Sequence, residues 1–397
     1  MKKKFFKATC AVMALTLGVA AAATMASCGA NKKNYAENNT EFFIATSGPL
    51  TGDYAKYGLG VKNGASMAVE EINKTAEQDF GFKFKFDMAD DKADPTEVTS
   101  KYTNYYESGM QISLGTVTSG ACLQWKADAK DDGIFILTPS ATSDAVYKDS
   151  DYTYQMCFSD NNQGTAAAKY VKENVSGKKV GVFYQTDDEY SAGIYNTFMA
   201  EMGSAASSVV KASFTKDTKS DFSSQVQTLK DCEFVFMPIY YSDASRFMTA
   251  ANSVSNKIEQ YYGCDGLDGI DSMEGFDINT IHQEISFLTH FNTNATSGKT
   301  KEFVDAYTEK YGTETLNQFA ASAYDCVYAI YEALKAAKAE GKDVKVTMSP
   351  SEVCAIMKEQ LQKIELKNYV TGTSIKWNAD GTVSKPADRV VVKTADA

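Results

Sequence analysis

Three observations predict an α/β fold of two Rossmann-like lobes. Short apolar strands alternate with stretches of helical periodicity along nearly the whole chain, the pattern of βα units built on a parallel sheet. The alternation breaks near Asp160 and restarts as a second series at Lys179, so the units fall into two groups. With 397 residues, 44% apolar and 23% charged, the chain is globular in composition and long enough for two domains.

The first residues read as a leader. Lys2, Lys3, Lys4 and Lys7 precede an apolar run from Ala8 to Ala23, a basic region followed by a hydrophobic one. That run is too short and too Ala-rich to span a bilayer. It ends in Met25-Ala26-Ser27-Cys28-Gly29, which resembles the lipobox of bacterial lipoproteins. Residues 1–27 are then a lipoprotein signal peptide, Cys28 is the lipidated N-terminus, and residues 28–40 form a polar tether. The formal net charge of −11 becomes −15 once the four lysines of the leader are removed. Such acidity speaks against nucleic acid, which calls for a basic patch. Six cysteines remain after Cys10 and Cys28, with no CxxC pair among them, and their positions suit buried free thiols. Only His282 and His290 are present, so neither a His-based catalytic set nor a His-rich metal site is expected.

Strand Phe42 to Thr46 opens the first series and ends in Ser47-Gly48-Pro49-Leu50-Thr51-Gly52, a loop dense in turn residues. A helix from Leu59 to Thr75 carries Val61, Ala65, Ala68, Val69 and Ile72 on one face. Gly58, Gly60 and Gly64 nearly spell a dinucleotide fingerprint, but the spacing is wrong by one and the loop is too long. Strand Phe82 to Met88 follows, then Asp90-Asp91 as a solvated turn, helix Pro95 to Glu107, strand Met110 to Leu114, helix Ala121 to Lys130 and strand Ile134 to Leu137. Strand Tyr152 to Phe158 leads through Ser159-Asp160 into a helix reaching Tyr170.

The second series has strands Val180 to Tyr184, Val209 to Phe214, Phe234 to Ile239, Gln260 to Gly263 and Ile285 to Thr289. Helices Tyr190 to Met202, Phe222 to Leu229 and Asp243 to Ser253 lie between them. Asp265, Asp268 and Asp271 are three apart, whereas calcium loops place carboxylates two apart and close with a Glu. No cofactor or metal is therefore expected. Helices Lys299 to Tyr311 and Leu316 to Ala339 need a sheet to cover, and the first series is short of helices, so the chain is expected to return there. Strands Thr373 to Trp377 and Arg389 to Lys393 finish it. Lobe 1 is assigned residues 41–158 plus 290–371, and lobe 2 residues 159–289 plus 372–397.

Ser119 to Thr142 is the segment most suggestive of function. Two small hydroxyl-bearing loops, at Ser119-Gly120 and at Pro139-Ser140-Ala141-Thr142, bracket one helix and one strand. Loops at the carboxyl ends of adjacent parallel strands face one crevice, where ligands bind. Neither loop contains Lys or Arg, so an anion there would be held by backbone N–H groups, hydroxyls and a helix N-terminus.

Taken in order, Ser47-Gly48-Pro49-Leu50-Thr51-Gly52 with Tyr57-Gly58, Asp90-Asp91, Ser119, Pro139-Ser140-Ala141-Thr142, Gln163-Gly164, Tyr190, Asp265-Gly266 and Tyr324-Asp325 resemble the bacterial leucine/isoleucine/valine-binding protein family, the type I solute-binding proteins of ABC importers. The likeness covers nearly all of the chain after the leader. It implies the type I periplasmic binding protein fold, two lobes joined by three crossovers that close on a ligand. It also implies that Ser119, the Ser140 backbone and Thr142 bind an amino acid's carboxylate, and that Tyr190 and Asp265 take its ammonium group. Tyr57, Trp125, Tyr240 and Phe319 are the candidates for the side-chain pocket. The implied partners are the small-molecule ligand, ABC permease subunits, and the outer face of the membrane through Cys28. Two departures stand out: family members carry a Glu where Asp265 stands, and a disulfide where Thr118 replaces one of the cysteines.

A zwitterion buried between lobes needs both of its charges paired. Asp265 supplies an acid for the ammonium, while Ser119 and Thr142 donate to the carboxylate without adding charge. Two other functions fit the same fold: a ligand sensor acting through a separate signalling partner, and capture of amides, urea or other small solutes. A hydrolase does not fit, because there is no GxSxG, no HExxH and no Ser-His-Asp set.

Overall fold

The computed structural model describes residues 33–395; the leader and Cys28 lie outside the described residues. The first sheet is built from β1 (Glu41–Gly48), β2 (Lys83–Asp90), β3 (Ile112–Thr116), β4 (Phe135–Thr138) and β5 (Thr153–Gln155) in the order β2-β1-β3-β4-β5, all parallel. Connecting them are α1 (Ala55–Ile72), the short α2 (Ala76–Phe80), α3 (Pro95–Glu107), α4 (Ser119–Ala129) and α5 (Asp144–Tyr147). Phe42 and Ile44 of β1 belong to one core and Phe43 and Ala45 to another, so the unbroken apolar run FFIA is buried on both faces of the sheet.

After β5 the chain crosses into α6 (Asp160–Asn174), which a capping box between Ser159 and Asn162 starts. β6 (Val180–Gln185), α7 (Glu189–Met202), β7 (Val210–Phe214), α8 (Ser223–Leu229), β8 (Phe234–Met237), α9 (Tyr241–Asn252), β9 (Gln260–Gly263) and β10 (Glu284–Thr289) build the second lobe. The chain then returns as α10 (Gly298–Tyr311), α11 (Gln318–Ala339) and α12 (Pro350–Gln360). The expected return to the first lobe takes place: α11 packs along α1, and α11 and α12 lie against β4. A hairpin of β11 (Leu366–Tyr369) and β12 (Gly372–Ile375) precedes β13 (Asp388–Lys393), which pairs antiparallel with β10. The second sheet therefore has the order β13-β10-β9-β8-β6-β7, and the chain passes between the lobes three times.

Several local expectations are corrected. Residues 34–40 are not a free tether: they form a 3-10 turn with Ala36 buried, Asn34 bonds the Thr347 carbonyl, and Asn39 bonds the Gly109 carbonyl. The lobe boundary at residue 371 is too early. Trp377 donates to the Gln155 carbonyl at 2.9 Å and Gly381 accepts from Gln155 N, which keeps this stretch on β5, and only β13 crosses over. Asp91 is not solvated but fully buried, bonded to Ser47 Oγ at 2.8 Å and to Ala93 N, and burial pushes it up to about 6. Asp90 holds Leu50 N at 2.9 Å, so the pair pins the loop after β1. Helix α12 has no counterpart among the sequence expectations, although Ser349 and Glu352 form a capping box with Pro350 at its first position.

The three glycines of α1 serve close packing. A side chain at Gly58 would collide with the Pro49 backbone, one at Gly60 with Asn317, and one at Gly64 with the Ala320 carbonyl of α11. That contact accounts for the near-fingerprint without a nucleotide.

Candidate functional site

Each sheet reverses its strand order at the gap between the lobes, between β1 and β3 in the first and between β6 and β8 in the second. Such switch points open crevices at the carboxyl ends of strands, so the two crevices converge on one cavity. The first lobe contributes Val117, Thr118 and Ser119 at the start of α4, Ser140 after β4, Tyr57 of α1 and Phe319 of α11. The second contributes Tyr190 of α7, Tyr240 before α9, and Asp265 and Gly266 after β9. As closed, the cavity encloses about 20 Å³, room for roughly one water. A larger solute enters only as the lobes part.

The lobe 2 wall is a hydrogen-bonded unit. Tyr190 donates to Asp265 Oδ1 at 2.7 Å and accepts from Gly266 N at 2.9 Å, while Asp265 N donates to Gln163 Oε1 at 2.9 Å. Tyr57 reaches across from lobe 1 to the Gly266 carbonyl. Gly266 is required here, because a side chain would strike the Tyr190 hydroxyl and the Ile239 carbonyl. Burial pushes Asp265 up to about 6, against the hydrogen bonds from Tyr190 and Gln163 that hold it down. Among the described residues no Lys or Arg pairs with it. The aspartates after it point elsewhere: Asp268 accepts from Gln318 N at 2.9 Å at the start of α11, and Asp271 is exposed. Among the described residues no cluster suits a metal ion.

On the lobe 1 side the hydroxyls divide. Ser140 Oγ is spent on the Val117 carbonyl at 2.8 Å, and Ser140 N reaches Thr138 Oγ1 at 3.3 Å. Ser119 Oγ accepts from Ser143 N at 3.2 Å and keeps its own proton to donate. The first-turn N–H groups of α4 have no partner within the helix and carry its positive end. Aromatic rings form the floor. Tyr190 stacks on Tyr240 with centroids 5.0 Å apart, and Tyr57 meets Phe319 edge-on at 5.1 Å.

Of the residues singled out from sequence, Ser119, Ser140, Tyr190, Asp265, Tyr57, Tyr240 and Phe319 come together around this cavity. Thr142 lies one step away beside Asp160. Trp125 does not reach the cavity. It is fully buried on the far face of α4, edge-on to Tyr102 at 5.1 Å and within the core of Phe43 and Val98. Position along the chain suggested it, but α4 turns its cavity-facing end, at Ser119, away from Trp125.

Asp160 is the residue that the sequence did not single out. It begins α6, is 2% exposed, and neither carboxylate oxygen has a hydrogen-bond partner. Burial drives it well above the ordinary carboxylate range, and Asp265 adds to the push. The Thr142 hydroxyl lies near it without a bond of ordinary geometry, and Thr118 Oγ1, Gln163 Nε2 and Tyr240 OH are also unpartnered. Buried polar atoms in native proteins are nearly always bonded. These exceptions gather beside the inter-lobe gap, as polar groups that the protein itself leaves unsatisfied. The signal available in sequence was the Asp-x-x-Gln-Gly run at Asp160, Gln163 and Gly164.

A family profile described as periplasmic binding protein matches residues 41–396. The chain is 28% identical over 290 residues to the Leu/Ile/Val-binding protein BraC3 of Rhizobium johnstonii, covering 71% of this chain and 77% of that one. It is 25% identical to the leucine-, isoleucine-, valine-, threonine-, and alanine-binding protein of Pseudomonas aeruginosa, over 85% of this chain and 90% of that one. Among solved structures it resembles the branched-chain amino acid transporter substrate-binding protein LivJ of Streptococcus pneumoniae in complex with isoleucine, with TM-score 0.74 and 26% identity over 89% of this chain and 99% of that one. A solute-binding protein from R. palustris in complex with benzoate shares the fold, with TM-score 0.72 and 18% identity over 90% of this chain and 98% of that one.

Proposed function

The chain belongs to the periplasmic binding protein family, and we propose on that premise that it captures an amino acid between its lobes and delivers it to the permease of an ABC importer. Membership makes it an exported solute-binding protein rather than an enzyme. One observation carries the choice of ligand: Asp265, buried and held by Tyr190 at 2.7 Å, has no basic partner among the described residues and sits across the cavity from Ser119 and the first turn of α4. An acid on one wall and hydroxyls with a positive helix end on the other match the two charges of a zwitterion. A benzoate brings no cation, and would leave Asp265 and Asp160 buried without a counter-charge.

In this reading Ser119 and α4 hold the carboxylate, with Thr142 beside them, and Asp265, Tyr190 and Asp160 share the ammonium. Tyr57, Tyr240 and Phe319 contact the side chain. The moving bodies are residues 41–158 with 290–383, and 159–289 with 384–395. Cys28 anchors the protein by lipid at the outer face of the cytoplasmic membrane, and Cys28→Ala is expected to release it from membranes. Among the described residues no helix is long and apolar enough to cross a membrane.

A thermal-shift screen of amino acids, amides, urea and benzoates tests the ligand class. A ligand at a thousand times its Kd stabilises the fold by about 4 kcal/mol, and the shift is expected with amino acids. A shift with benzoates and none with amino acids would overturn the assignment.

A further inference from the structure

We propose that a crevice beside the amino-acid cavity is the side-chain subsite, and that it selects an extended cationic side chain of the lysine, ornithine or arginine class with Asp188 as counter-ion. This rests on the amino-acid reading above. The crevice has a volume of about 690 Å³ and shares Thr118 and Tyr240 with the inner cavity. A side chain reaching from the cavity into the crevice would run past these two residues. Their hydroxyls are both buried and unpartnered, in residues only 7% and 8% exposed. A branched aliphatic side chain on that path would seal both hydroxyls away dry, whereas amino or guanidinium N–H groups would satisfy them.

On the crevice wall stands Asp188. Its one hydrogen bond, from Ser191 N to Oδ1 at 2.9 Å, caps α7, and no basic side chain pairs with it among the described residues. Of the lysines that line the crevice, Lys216 pairs with Asp94 at 3.0 Å and Lys219 with Asp53 at 3.3 Å, while Lys92 stands on the lobe 1 rim, in the loop after β2. Asp243, close enough to Asp188 to repel it, is matched by Arg246 at 3.2 Å, and Asp187 and Glu189 flank Asp188 on this wall and add to its negative charge. The crevice wall also carries aromatic rings. Tyr54 and Tyr240 lie 4.7 Å apart, and the Tyr54 ring already carries one cation, Lys219 Nζ at 5.0 Å from its centroid. A carboxylate with no basic partner among the described residues, two unfilled hydroxyls and two aromatic rings along one path describe a subsite for a cation on a flexible stem.

Calorimetric titration of the mature chain with lysine, ornithine and arginine, set against leucine, isoleucine and valine, tests this. At least one cationic amino acid is expected to bind about tenfold tighter than any branched-chain one. Asp188→Asn keeps the helix cap, since Asn caps as well as Asp, and its unchanged melting temperature serves as the fold control. It should cost the cationic ligand about tenfold in Kd, the order of one charge-assisted hydrogen bond, and leave norleucine unchanged. Tighter binding of a branched-chain amino acid, or an Asp188→Asn protein that holds the cationic ligand as well as before, overturns the subsite while leaving amino-acid capture standing. Silence from every amino acid overturns both.

Discussion

Tyr54 of the first lobe donates a 2.7 Å hydrogen bond to the buried carboxylate of Asp243 in the second. The bond spans the gap at the mouth of the site, beside the Asp53 pairs with Lys219 and Arg246, so it exists only when the lobes are shut. Exposed ion pairs of the latter kind contribute little, whereas a bond to a buried carboxylate contributes more.

Tyr54→Phe is therefore expected to leave the fold intact and speed ligand release. Removing a donor from a buried carboxylate costs about 1–3 kcal/mol, charged here to the closed state alone. Stopped-flow dissociation should rise about tenfold, and an unchanged rate would mean that closure does not depend on this contact.

Asp265→Asn keeps an acceptor for Tyr190 but removes the charge that faces the ammonium. Affinity for any amino acid should fall by about 2–3 kcal/mol, roughly a hundredfold, with the melting temperature held or raised. Calorimetry reads it directly. Retained affinity would place the ammonium elsewhere.

Acidity should act in opposite directions on stability and on binding. Burial holds Asp188 and Asp265 at about 6 and Asp268 at about 7. Between an unfolded value of about 4 and these folded values the native protein binds more protons than the unfolded chain. Stability consequently falls as pH rises through that window. The unliganded protein is expected to melt higher near pH 5 than near pH 7.5, and Asp268→Asn should flatten the slope. Amino-acid affinity should run the other way, weakening by up to about tenfold per unit below pH 6 as Asp265 takes up the proton that competes with the ammonium. Parallel pH trends in melting and binding would contradict the assignment.

Trp125→Phe separates core from site. The ring is buried against Tyr102, and trimming it should cost about 1–3 kcal/mol of stability with no change in ligand Kd. A change in Kd at constant stability would return Trp125 to the pocket.

Much of this was legible in the sequence. β1 reads as a two-faced buried strand from FFIA alone, and Ser119 and Ser140 fall at strand ends because βα units place their loops at one edge. Residues whose role depends on distant packing were harder to place. Asp160 looks like an ordinary first-turn acid until α6 and α7 bury it, and Asp91 like a surface turn until Ser47 closes over it. Trp125 sits six residues from Ser119, yet helical rotation turns it to the opposite face. The Ser349 capping box was local and readable, and α12 could have been found from it.

The position of α11 and α12 also bears on how the protein is made. All five strands of the first sheet lie before residue 156, but the helices that lie on β4 are residues 318–360. Synthesis runs from the N-terminus, so the first lobe leaves the ribosome with part of its sheet uncovered, and all of the second lobe but β13 emerges before that cover arrives. For more than 150 residues of elongation, roughly ten seconds or longer at ordinary bacterial rates, the apolar face that Ala320 will seal against Gly64 has no partner of its own. A chaperone that binds nascent apolar surface would meet a target there.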